Sequence, residues 1–91
     1  MDEFLAALAM LPVGYGEGCF AGRRYGVTLA AAPDGRRLRL FGEELGGPDR
    51  ISFNLYRLGD GTPRLKPCEM PAAKVVAFVL GYRPDRPGGA S

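Results

Sequence analysis

The sequence predicts an α+β fold of two layers. A three- to four-stranded antiparallel meander carries an N-terminal and a C-terminal helix on one face, in the order α-β-β-β-(β)-α. Three observations carry this. The apolar period is helical at both ends of the chain and two in the middle. Turn-forming Pro, Asp and Gly recur at short intervals between the middle segments, which suits antiparallel neighbours, because parallel ones need long crossovers. Both end segments are amphipathic, and only one strand face is large enough to give them an apolar partner.

Taken in order, Asp2 caps a first helix whose stripe is Phe4, Leu5, Leu8 and Leu11, with Asp2 and Glu3 suiting its positive end. Pro12 and the glycines after it stop that helix, and Gly14-Tyr15-Gly16-Glu17-Gly18 reads as a loop. From about Arg23 the period becomes two: Tyr25, Val27 and Leu29 alternate with Arg24, Gly26 and Thr28. Pro33-Asp34-Gly35 turns the chain into a hairpin partner in which Leu38 and Leu40 alternate with Arg37, Arg39 and Phe41. After Gly46-Gly47-Pro48-Asp49 the third strand sets Ile51, Phe53 and Leu55 against Ser52, Asn54 and Tyr56. Pro63 to Lys66 makes a short fourth strand, placed at an edge by its prolines. Pro71 opens a second helix that Gly81 ends, with Ala72, Val75, Val76, Val79 and Leu80 as its apolar face and Phe78 on the outer side beside Lys74. Residues 1–82 are expected to form a single domain. Residues 83–91, with Pro84, Pro87 and paired glycines, are expected to form a flexible tail.

Bulk composition narrows the function classes. Ninety-one residues hold one core. The longest apolar run, Val75 to Leu80, is far too short to span a membrane, and the acidic Met1-Asp2-Glu3 lacks the basic start of a secretory signal. A cytoplasmic protein without membrane association is the expectation. The chain has no His, which removes Ser-His-Asp and Cys-His nucleophiles, histidine bases and most catalytic zinc sites. Two cysteines are too few for a disulfide framework or a structural zinc site. No metal or cofactor is predicted. The net charge of +2 does not by itself imply a nucleic-acid partner.

The distribution of that charge is more informative than its sum. Alternation places Arg24, Thr28, Arg37, Arg39, Phe41, Ser52, Asn54, Tyr56, Arg64 and Lys66 on the sheet face away from the helices. Every charge in that set is positive, and Asp34, Glu43, Glu44, Asp49 and Asp60 are expected in turns and strand ends. Arginine offers planar paired donors to phosphate or carboxylate, and Phe41 and Tyr56 offer rings on which bases stack. A solvated polar face, an anionic ligand such as nucleic acid, and a protein partner or second copy of the chain are all compatible with this pattern. The leading expectation is a non-enzymatic binding module using Arg24, Arg37, Arg39, Asn54, Tyr56, Arg64 and Lys66.

The alternative is a thiol-dependent protein. In Lys66-Pro67-Cys68-Glu69-Met70-Pro71 a cysteine stands just before a helix start, where the dipole favours a thiolate, with Cys19 as resolving partner if the two loops meet. Against it stand the missing general base, the lack of a Cys-x-x-Cys motif and the common use of cysteine as small apolar filler. Gly16-Glu17-Gly18-Cys19-Phe20-Ala21 matches G-x-G-x-x-A by letter, but the dinucleotide fingerprint needs a strand before it and a helix after it. The glycines read instead as a link from helix to sheet, or a lip over a small ligand with Tyr15 and Glu17 as its polar groups. Glu43 and Glu44 are adjacent on a strand, so they point to opposite faces and share neither proton nor metal.

Overall fold

The computed structural model describes residues 2–85. Its elements are α1 (Asp2–Ala9), β1 (Gly14–Phe20), β2 (Arg23–Ala31), β3 (Arg37–Glu44), β4 (Arg50–Arg57), β5 (Pro63–Pro67), α2 (Ala72–Gly81) and β6 (Arg83–Pro84). All neighbouring strands are antiparallel, in the order β5-β4-β3-β2-β1-β6. Five strands follow one another as a meander. After α2 the chain returns to lay β6 against the outer edge of β1.

The α+β class holds, but the sheet is wider than expected. Gly14–Gly18, expected as a loop, belongs to β1, which pairs with β2 over its whole length. Arg83–Pro84, expected in a flexible tail, forms β6 against Gly18 and Cys19, and the Asp85 N–H donates to the Glu17 carbonyl at 2.9 Å. Residues 86–91, the rest of that tail, lie outside the described residues.

β1 escapes a search for alternating apolar residues because three of its four helix-facing positions are Gly14, Gly16 and Gly18, opposite Leu29, Val27 and Tyr25, and only Phe20 carries an apolar side chain there. At Gly18 the missing side chain is a packing requirement. A Cβ there would run into the Tyr82 ring and the Arg83 carbonyl, so glycine is what lets the end of α2 close on the sheet. The hairpin between β1 and β2 turns through Ala21 and Gly22, both at positive φ (52° and 78°), which matches the twist of the flanking strands.

The core lies between the helices and one sheet face. Phe4, Leu8 and Leu11 at the first helix, and Val75, Phe78 and Val79 on the second, are buried together with Tyr25, Val27, Leu29, Leu40, Ile51, Phe53 and Leu55. Phe4 meets Phe53 with ring centroids 5.8 Å apart. The second helix is rotated from the expected orientation. Phe78, expected outside, is 0% exposed, whereas Leu80, expected on the apolar face, is 47% exposed; Ala72 is exposed too.

The stripe Val75, Phe78, Val79, Tyr82 satisfies the helical period equally well, and sheet topography selects it. Gly42 on β3 lies beneath Phe78: a Cβ added there would be tight against Val27 Cγ2 at 3.3 Å and in ordinary contact with Phe78 Cζ at 3.7 Å, so a larger side chain would meet the ring. The ring then sits among Phe20, Tyr25 and Tyr82, at centroid distances of 4.9, 5.1 and 5.1 Å.

A polar clamp fixes the same helix. Asp49, in the turn before β4, accepts from the Tyr25 hydroxyl at 2.6 Å and from Lys74 Nζ at 2.7 Å. The hydrogen bonds from Lys74 and Tyr25 hold the Asp49 carboxyl below its ordinary pKa, and burial together with this carboxylate pushes the Tyr25 phenol up to about 12. Burial pushes Tyr82 up to about 12 as well.

Phe78→Ala should cost about 3–5 kcal/mol in chemical denaturation, the range for emptying an aromatic core site. Leu80→Ala should stay within about 0.5 kcal/mol; equal losses at the two positions would contradict the observed rotation of α2. Asp49→Ala should cost about 1–2 kcal/mol, since it unpairs a buried phenol and a half-exposed ammonium.

The two signs of pH dependence follow from the directions of the shifts. The Asp49 contribution is present above a free carboxylate's pKa of about 4 and is lost as pH falls through its lower folded value. The contributions of Tyr25 and Tyr82 are complete below a free phenol's pKa of about 10 and are lost as pH rises toward 12. Phenolate absorbance from these two tyrosines should therefore appear together with alkaline unfolding and not before it.

Candidate anion-binding face

Among the described residues the other sheet face carries no helix, and strand register determines what stands side by side on it. Arg37 on β3, Tyr56 on β4 and Arg64 on β5 are direct cross-strand neighbours. One pleat repeat away, Arg39, Asn54 and Lys66 form a second row of three. Strands lie about 4.8 Å apart and same-face residues about 6.7 Å apart along a strand. Arg37, Arg39, Arg64 and Lys66 therefore mark the corners of a rectangle about 10 Å by 7 Å, with Tyr56 and Asn54 between them. Six of the seven binding residues expected from sequence are brought together here.

Among the described residues, none of these four cations has an ion-pair partner. The carboxylates that form ion pairs are engaged elsewhere: Glu44 with Arg23, Glu17 and Asp85 with Arg24, and Asp49 with Lys74. At about 7 Å two like charges repel by about 0.6 kcal/mol even with bulk-water screening. The fold leaves that repulsion in place at the corner while neutralising cations at other positions.

An open cleft of about 560 Å³ lies over this corner, where Arg37, Tyr56, Arg64 and Lys66 meet the two adjoining turns. The turn before β3 contributes Arg36 and the end of β4 contributes Arg57, neither of them among the binding residues expected from sequence. Arg36 was legible as the residue after Asp34-Gly35, but Arg57 is brought near only because its N–H donates to the Arg36 carbonyl at 2.8 Å. Asp34 is the single carboxylate lining the cleft, and its Oδ1 already accepts from the Arg36 N–H at 2.9 Å. Next to the second row stand Thr28, Phe41 and Ser52, neighbours across β2, β3 and β4, with Phe41 38% exposed.

Arg24, the seventh expected residue, is not part of this group. It stands near the opposite end of β2 and is held by both oxygens of Asp85, at 2.9 and 2.6 Å, and by Glu17 at 3.4 Å. The expectation that all charge on the open face is positive also fails. Glu17, Gly26, Glu43 and Arg50 form a row across β1 to β4 on that face. The error comes from reading β1 as a loop and placing Glu43 beyond the strand. Positive charge is concentrated at one corner instead of covering the face.

The two cysteines do not meet. Both are exposed: Cys19 is on β1, and Cys68 follows β5 with its N–H donating to the Ser52 carbonyl at 2.9 Å. Three strands separate β1 from β5, so four strand spacings alone put about 19 Å between the thiols across the sheet, and they are offset along the strands as well. Cys68 has the Asn54 amide 3.9 Å from its sulfur, whereas Cys19 takes a contact of 3.3 Å from Arg24. The α2 N-cap is Pro71, so Cys68 lies three residues before it, off the helix end. The glycine segment is a strand and not a mobile lip. A second cleft, of about 550 Å³, does open at its edge beside Gly16, with Leu11, Val13, Tyr15, Glu17 and Tyr82 among its walls.

Set beside protein-family models, curated proteins and solved structures, this chain matches none.

Proposed function

We propose that the protein is a non-enzymatic binding module that takes an anionic ligand on the open sheet face, at the corner formed by β3, β4 and β5. The observation that carries this reading is the block of four cations, Arg37, Arg39, Arg64 and Lys66, without a carboxylate partner among the described residues. An anion placed there gains several charge-assisted hydrogen bonds and relieves the mutual repulsion of the cations. The arginines favour phosphate or carboxylate groups, which their planar forks bind through paired donors. The site lies on strands, whose backbone the core fixes from the other side, so the spacing at which its cations are attached is set before any ligand arrives.

A thiol-dependent reading has less support. Its intended partners, Cys19 and Cys68, stand at opposite ends of the sheet.

Replacing both Arg37 and Arg39 with Ala should lower the salt concentration that elutes the protein from a phosphocellulose column, with little change in thermal midpoint because both side chains are exposed. Arg24→Ala is the control: its charge is already paired, and retention should change little. Unchanged retention in the double variant, or an equal loss in the control, would count against the corner as the binding site.

A further inference from the structure

We infer that the anion this corner accepts is the backbone of a single-stranded nucleic acid, whose bases stack on Tyr56 and Phe41. The inference rests on the anion-binding reading and adds the ligand's class. Charge alone would suit any polyanion, but the same face also supplies aromatic rings and a short polar row. Along β3 the outward residues run Arg37, Arg39, Phe41, and along β4 they run Tyr56, Asn54, Ser52. Tyr56 thus stands in the outermost row, flanked by Arg37 and Arg64, and Phe41 two pleat repeats away, about 13 Å along the strands, with the row of Arg39 and Lys66 between the two rings. A chain that alternates phosphate and base fits such a surface; an inorganic anion uses only its cations.

Phe41 is the more telling ring. It points away from the core, among Thr28 and Ser52, and is 38% exposed although it belongs to a strand with Leu40 fully buried beside it. Tyr56 lies directly between Arg37 and Arg64, so a base stacked on it has a guanidinium on each side for the flanking phosphates. Asn54 adds an amide that both donates and accepts, within reach of a base edge.

The shape argues for a single strand over a duplex. The cleft is open and backed by a sheet, and among the described residues no helix stands on this face to enter a groove. Paired bases would keep their faces inside the stack and out of reach of both rings.

Fluorescence anisotropy with a labelled twelve-nucleotide oligothymidylate, read as a function of salt, separates charge from stacking. Four phosphate contacts on a single strand give a slope of log affinity against log salt near about −3. Arg37→Ala with Arg64→Ala should roughly halve that slope. Tyr56→Ala and Phe41→Ala should each weaken binding roughly ten- to hundredfold while the slope stays the same, and Tyr56→Phe should bind as the parent does. Inorganic polyphosphate of equal charge should compete poorly, as should a duplex of the same length.

If the alanine variants at Tyr56 and Phe41 bind normally while the arginine variants do not, the nucleic-acid inference falls and the anion reading stands. Equal competition by polyphosphate, or tighter binding of the duplex, has the same meaning. Tighter binding of a poly-glutamate peptide would assign the face to an acidic protein partner instead. If neither oligothymidylate nor polyphosphate binds at low salt, both readings fall.

Discussion

Tyr82 rests over Gly18, where any side chain would run into its ring, and this seat sets how the end of the second helix lies on the sheet. Phe78 lies over Gly42, where a Cβ would already be in van der Waals contact with the ring and a larger side chain would lift it. Glycine at these two inner positions lets the aromatic side of the helix come close to the strands. Once the helix is so placed, Lys74 faces the turn before β4 and reaches Asp49, which also holds the Tyr25 hydroxyl. The chain leaving the helix is then directed along β1, where Arg83–Pro84 pairs and Asp85 meets Arg24.

That last contact links the core to the charge pattern on the opposite side of the sheet. Asp85 reaches Arg24 because the end of α2 closes over Gly18, and its arrival removes one cation from those available to a ligand. Glu17 contributes to the same neutralisation from β1. Both helices occupy one face, so the remaining outward cations stay uncovered, and the carboxylates that do form ion pairs, Glu17, Glu44, Asp49 and Asp85, hold Arg23, Arg24 and Lys74 and not the block at Arg37, Arg39, Arg64 and Lys66. The helix seats and the basic corner are on opposite sides of the sheet and have no direct contact, yet the position of one shapes the other.

Much of the corner was legible in the sequence. Arg37-Leu38-Arg39-Leu40 and Ser52-Phe53-Asn54-Leu55-Tyr56 alternate without interruption, and a strand buried on one side can take only one register. The short Pro33-Asp34-Gly35 turn then makes β2 and β3 neighbours, and antiparallel pairing does the rest. Arg24 was misassigned because the carboxylate that holds it with both oxygens, Asp85, is sixty-one residues away, and its nearer partner, Glu17, stands on a strand that reads as a loop. β1 was missed because alternation was sought in apolar side chains, and three of its four inner positions are glycine, with Phe20 alone carrying an apolar side chain. Phe78 was placed outside because two stripes of the second helix share the same period, and only the relief of the sheet distinguishes them.

The sequence by itself determined the class of the fold, the identity of β2 to β5, and which of their residues face outward, because period and turn chemistry depend on residues near one another in the chain. Only the tertiary structure decided the rotation of the second helix, the membership of β1 and β6 in the sheet, and which arginines remain unpaired. Those outcomes depend on empty space at a glycine and on a carboxylate brought from a distant segment. Neither leaves a periodic trace, so each becomes visible only when the elements are packed together.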